Sequence, residues 1–246
     1  MSLIKIAAQR PVLTAVLCAI SQFLITMLIL MAGKNLAPPE AFGKIKLIAF
    51  ASTVILPLLL AHAFGLWKQV GFDIAKVRPA PIFLVSLLFA AMYLSMGVHQ
   101  REHGAIGSDL LIQFINAFGE ELLFRGVIFA ILLCLPTWQA IVLNGLLFGS
   151  MHLIHGYMDA NWSAALFQAG MTSVGGMMFA AVRYRTGSLW LVIILHMLKN
   201  LSVMYSNVEN AAGPGAVAVV QCLTIALEVV VVAYVVAKET RRPVLA

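Results

Sequence analysis

Polar and turn-forming residues divide this chain into eight long apolar stretches. They run roughly over residues 12–32, 47–66, 81–98, 110–133, 138–154, 162–182, 188–205 and 216–236. None alternates with the period of a strand, and each is close to the length a helix needs to cross about 30 Å of hydrocarbon. The pattern predicts an all-α polytopic membrane protein of about eight transmembrane helices. Short loops predict one compact bundle, with residues 1–246 as a single membrane domain. The boundary between the fourth and fifth stretches rests on Pro136, a residue that starts helices well.

Composition supports the membrane assignment. The chain has 246 residues, of which 62% are hydrophobic and 11% charged, and its mean hydropathy is +0.97. A soluble domain of this size lacks the interior to hide that much apolar surface. The first stretch is too long for the apolar part of a removable signal peptide, so it is expected to remain as a span. Cys18, Cys134 and Cys222 show no metal-type spacing and no disulfide framework. They are expected to be small buried hydrophobes.

The formal charge of +6 gains meaning from its placement, and the chain is not expected to bind nucleic acid. With the N-terminus inside, Lys5, Arg10, Lys68, Lys76, Arg78, Arg183, Arg185, Lys238, Arg241 and Arg242 face the cytoplasm. Lys34, Lys44, Lys46 and Arg101 face the other side. That asymmetry places both termini of this multi-pass protein in the cytoplasm, at a plasma membrane such as the bacterial inner membrane. Trp67, Trp138, Trp162 and Trp190 lie near span ends, as interfacial anchors do. Gly175 and Gly176, with Ala164, Ala165 and Ala169, predict close helix packing in the sixth stretch.

Against this background three polar segments stand out: Glu120-Glu121-Leu122-Leu123-Phe124-Arg125, Phe148-Gly149-Ser150-Met151-His152 and His196-Met197-Leu198-Lys199-Asn200. Ionisable groups are costly inside a bilayer and mark function there. Glu121 and Arg125 are one turn apart and can pair. Glu120 points about 100° away around the helix and is left for a pocket. His196 and Asn200 share a face of the seventh stretch. Ser150 lies off the face of His152, and His155 is a second candidate imidazole. Glu228, an acid in a Val-rich stretch, should find a partner such as Lys199 or His62.

These groups suit peptide-bond hydrolysis without a covalent intermediate. Glu120 is a plausible general base, His152 can hold the same water, and His196 and Asn200 can donate to a developing oxyanion. A zinc site built from Glu120, His152 and His196 is the competing mechanism. The chain lacks the His-Glu-x-x-His segment common in helical zinc sites, so a cofactor-free reaction is preferred.

The three segments, in this order, resemble the CPBP family of intramembrane proteases, also known as CAAX prenyl protease 2 (Rce1-like) or the ABI family. The family pattern is Glu-Glu-x-x-x-Arg, then Phe-x-x-x-His, then His-x-x-x-Asn or Asp, and it falls within residues 110–205 as a protease core. The resemblance implies an endopeptidase in which Glu120 and His152 activate water and His196 and Asn200 form the oxyanion hole. It gives Glu121, Arg125 and Phe148 supporting places. The substrate it implies is a membrane protein or a lipid-anchored peptide. Two other readings compete: a non-enzymatic immunity or scaffold protein whose polar residues only join helices, and a small transporter using His62 and Glu228. From helix ends and topology, the site is expected in the outer half of the membrane, in a cavity opening away from the cytoplasm.

Overall fold

A computed structural model describes residues 7–99 and 106–240. Lys5, Arg101, Arg241 and Arg242, used above for orientation, lie outside the described residues, as does the Lys46 side chain. The architecture is all-α and membrane-associated. Helix α1 is Pro11–Leu36 and α2 is Phe42–Ala63. A short pair follows, α3 Pro81–Ser86 and α4 Leu88–Tyr93. Next comes α5, Ile106–Glu121, which passes through a π-helical stretch, Leu122–Ile128, into α6, Phe129–Leu132. Helix α7, Thr137–Ser150, continues through a 3₁₀ turn, Met151–Leu153, into α8, Ile154–Met158. The remaining helices are α9 Trp162–Thr186, α10 Leu189–Met204 and α11 Val208–Thr240.

Each of the eight apolar stretches falls on helix, but their lengths differ from the sequence expectation. Among the described residues, four helices are long and apolar enough to cross a membrane: Pro11–Leu36, Thr137–Met158, Trp162–Thr186 and Val208–Glu239. Leu47–Ala63, Pro81–Tyr93 and Leu189–Met204 are shorter apolar helices. The stretch that carries Glu120, Glu121 and Arg125 is long but interrupted by charge.

Local signals explain where the elements begin and end. Pro11 and Pro81 sit in first turns, where no N–H is needed. The Asn161 side chain accepts from the Ala164 amide and that of Ser188 from the Leu191 amide, so both helices start on caps. Gly187, at φ 73°, closes α9 in the left-handed conformation that glycine adopts without strain. Gly213, at φ 79°, breaks α11 just before Pro214.

On α1 and α11 packing is inverted relative to a soluble bundle. In α1 the leucine-rich face, Leu13, Leu17, Ile20, Leu24 and Leu28, is exposed, while Ala15, Cys18, Ala19 and Gln22 are buried. In α11, Val219, Leu223 and Val230 are exposed, whereas Thr224 and Glu228 are buried. Large apolar side chains on the outside and small or polar ones within suit a lipid surround, where helices associate by close packing and hydrogen bonds. Helix α7 meets α9 closely: a Cβ at Gly145 or Gly149 would collide with Ser173, and one at Gly176 would come 2.9 Å from Phe148 and 3.1 Å from the Gly145 Cα. The close packing read from Gly176 is thus present. Cys18 is buried as expected, but Cys134, in the turn after α6, and Cys222, on an outward face of α11, are exposed. Trp190 is no free anchor. It packs with Phe72 and Phe118, and its indole N–H donates to the Phe72 carbonyl.

Candidate active site

The Glu-Glu-x-x-x-Arg segment spans the passage from α5 into the π-helical stretch. A wider turn there exposes backbone that an α-helix would bond internally, and such turns often mark functional sites. The Phe124 carbonyl accepts from the Phe129 amide and also, at 2.6 Å, from the Asn144 side chain of α7. Asn144 is fully buried. It ties the π-helical stretch to the neighbouring helix.

Glu121 and Arg125 are fully buried and pair at 3.1 Å. The other end of the guanidinium donates to the Gly176 carbonyl at 3.0 Å, and its plane lies 4.2 Å from the Phe148 ring centre. This gives Phe148 a definite place: it covers Arg125 on one side and meets His152 and His196 edge-on. Glu121 also accepts from His196 Nδ1 at 2.7 Å. With Nδ1 so committed, the imidazole presents Nε2 toward Glu120, whose carboxylate is 3.7 Å away. Phe179 stacks on the opposite face of His196.

Glu120 differs from its neighbour, with a side chain 26% exposed where that of Glu121 is 0%. Glu120 and His152 line a cavity of about 680 Å³. Its walls also include Gln22, Thr26 and Lys34 of α1, Ala49, Phe50 and Thr53 of α2, and Phe148, His155 and Asp159. His152 Nδ1 donates to the Phe148 carbonyl at 3.3 Å, which leaves Nε2 unspent. At the mouth, Lys34 donates to the Met158 carbonyl and His155 contacts Asp159. The mouth adjoins the start of α9, where Trp162 packs on Gly156. At the other end of that helix Arg183 donates to Gln69, Arg78 to Tyr184, and Arg185 approaches Glu239. The cationic end and the mouth are therefore separated by most of the length of α9, roughly 36 Å at helical rise.

The structure thus places Glu120 and His152 on one cavity wall, with His196 3.7 Å from Glu120 but not itself lining the cavity. Asn200 stands apart: its carboxamide donates to Gln113 at 2.9 Å, and it is absent from the cavity wall. Ser150 bonds back to Leu147. Glu228 pairs with Lys199, whose ammonium lies over Phe179. Among the described residues no three His, Cys, Asp or Glu side chains form a metal-ligand group. Of the set considered for zinc, His196 and His152 each commit Nδ1, to Glu121 and to the Phe148 carbonyl, and keep Nε2.

Sequence reasoning passed over Gln22, Gln113 and Asn144. Gln113 lies seven residues before Glu120, two turns along one face, and that spacing could have shown it. Asn144, a carboxamide in an apolar stretch, carried the same signal as Asn200. No curated protein matches the chain. Residues 104–202, which carry all three motifs, match the model of the family described as type II CAAX prenyl endopeptidase, Rce1-like.

Proposed function

We propose that this protein is an intramembrane endopeptidase that hydrolyses a peptide bond with a water activated by Glu120 and His152. The observation that carries the reading is the division of labour between adjacent carboxylates. Glu121 is fully buried and shares its Oε1 between Arg125 and His196, while Glu120 opens on a cavity large enough for a peptide. The match over residues 104–202 supports the same chemistry.

In this reading Glu120 takes a proton from a water held by His152 Nε2. The water oxygen attacks the scissile carbonyl carbon, and the developing oxyanion accepts from His196 Nε2–H. His196 must carry a proton on each ring nitrogen in this step, because its Nδ1–H stays on Glu121. Asn200 is the second donor, through the amide N–H that its bond to Gln113 does not use. Glu120 then passes the proton to the leaving nitrogen as the C–N bond breaks, giving a free acid and a free amine. Glu121 and Arg125 hold His196 in place. As written, the reaction uses no cofactor.

We further read the eight helical stretches as a multi-pass bundle in a plasma membrane with cytoplasmic termini. The cationic end of α9 then faces the cytoplasm, and the cavity opens on the opposite side. The substrate is a membrane protein or a lipid-anchored peptide. Purified protein in detergent, incubated with a prenylated CAAX peptide and with a peptide from a membrane-spanning helix, tests the reading by mass spectrometry of the fragments. Cleavage of either by wild type and by neither Glu120→Ala nor His152→Ala supports it. Equal fragments from wild type and Glu120→Ala would refute it.

A further inference from the structure

Gln22 lies in α1, outside the matched region, and is 1% exposed. Its hydrogen bonds fix how the amide is turned. Ser52 spends its one proton on the Ala49 carbonyl at 2.7 Å, so Ser52 Oγ must accept from Gln22 at 3.1 Å. The second N–H goes to Thr26 at 2.9 Å. Both donors are used, and the acceptor Oε1 is left buried with no partner. An orphan carbonyl in an apolar interior costs free energy, and among the described residues with such a buried unpartnered atom Gln22 is the one that lines this cavity.

Its position suggests a use. Thr53, next to Ser52, packs so tightly on Gly119 that a Cβ there would lie 2.8 Å from the Thr53 carbonyl oxygen. Helix α2 therefore holds Gln22 and the turn bearing Glu120 in one assembly, and Gln22, Thr53, Gly119 and Glu120 all line the cavity. The neighbouring wall is largely apolar, with Leu30, Ala49 and Phe50. A peptide inserted there meets apolar side chains, the Glu120 carboxylate and an amide acceptor that no described group fills.

Building on the endopeptidase reading, we propose that Gln22 is a substrate-binding residue whose Oε1 accepts a backbone N–H of the peptide lying beside Glu120. The contact sets the substrate class. Inside a helix that N–H is already bonded, so the cavity takes an extended segment, and a helical substrate must unwind before it is held. Gln22 thus reads backbone conformation next to the scissile bond rather than a side chain.

The test measures binding, which separates it from the cleavage assay. A fluorescein-labelled prenylated CAAX peptide is titrated into purified Glu120→Ala protein by fluorescence anisotropy. Each substrate amide is replaced in turn by an ester, which removes one N–H. One ester is expected to raise Kd about five- to tenfold, the loss of one hydrogen bond. In the Glu120→Ala, Gln22→Met background the same ester should change Kd less than twofold. Ser52→Ala removes the tie between helices but leaves the acceptor, so there the ester penalty should persist. If Gln22→Met does not fold, Gln22→Asn, which keeps the amide but draws its oxygen back by one methylene, takes its place in the ester series. No ester-sensitive position, an equal penalty with and without Gln22, a penalty lost in Ser52→Ala, or no peptide binding at all overturns the proposal. Endopeptidase activity with unchanged ester sensitivity in Gln22→Met would remove this inference and leave the enzymatic reading intact.

Discussion

Arg125→Met should be strongly destabilising although it conserves most of the side-chain volume. The guanidinium has no exposed surface, pairs with Glu121 and donates to the Gly176 carbonyl. Methionine fills much of its volume between Phe148 and Phe179, so the loss is mainly electrostatic. Breaking a buried pair from one side costs about 3–5 kcal/mol, because the remaining charge is stranded. Here His196 still donates to Glu121, which places the cost near the lower end, about 3 kcal/mol. For a chain of this size that is a fall in Tm of roughly 6–12 °C. Adding Glu121→Gln removes the stranded charge, so the double variant should melt above Arg125→Met alone, with a coupling of about 2 kcal/mol. Melting can be followed by tryptophan fluorescence in detergent at a fixed scan rate, since membrane proteins often unfold irreversibly. A double variant that loses the sum of the single losses would refute the pairing argument.

Other consequences are open to similar measurement. Asn144→Leu frees the Phe124 carbonyl and should cost about 1–3 kcal/mol in the same melting assay, with peptide cleavage falling as the π-helical stretch loosens. Gly176→Ala puts a Cβ 3.0 Å from the Arg125 guanidinium and should lower Tm by several degrees, about 1–3 kcal/mol of overpacking; an unchanged Tm would show that α7 and α9 can separate freely. Lys199→Met strands Glu228, which is 1% exposed, and should cost about 3–5 kcal/mol, whereas Lys199→Met with Glu228→Leu should melt near wild type. Orientation can be read from Asp159→Cys after Cys134 and Cys222 are replaced: an impermeant maleimide should label intact cells, and labelling only after lysis would reverse the membrane face.

The parts of the site legible in the sequence were those set by helical spacing. Glu121 and Arg125, four apart, do pair, and Glu120, one residue earlier, does turn to a different environment. The partner of Glu228 was also foreseeable, because an acid amid valines needs a cation and Lys199 was within the core motif. What stayed hidden depends on contacts between helices distant in sequence. Gln22 meets Ser52 across α1 and α2, Asn144 meets Phe124, and Gln113 takes one N–H of the Asn200 amide that the motif alone would leave facing substrate. The π-helical register is invisible to apolar periodicity, since it alters backbone bonding without changing which residues are apolar. The exposure of Cys134 and Cys222 was misread because a residue turned to lipid and one turned to the core have the same hydropathy.

The central claim is that Glu120 and Glu121, adjacent in sequence, do different work. Peptide-cleavage kcat and detergent Tm, measured side by side on Glu120→Gln and Glu121→Gln, test it most directly. The account predicts that Glu120→Gln lowers kcat by roughly 10²–10⁴-fold, as loss of a general base does, with Tm within about 2 °C of wild type, less than 1 kcal/mol. Glu121→Gln should lower Tm clearly as Arg125 loses its counter-charge. A Glu120→Gln protein that keeps kcat within a few-fold of wild type, or that loses activity only in step with its stability, would contradict the account.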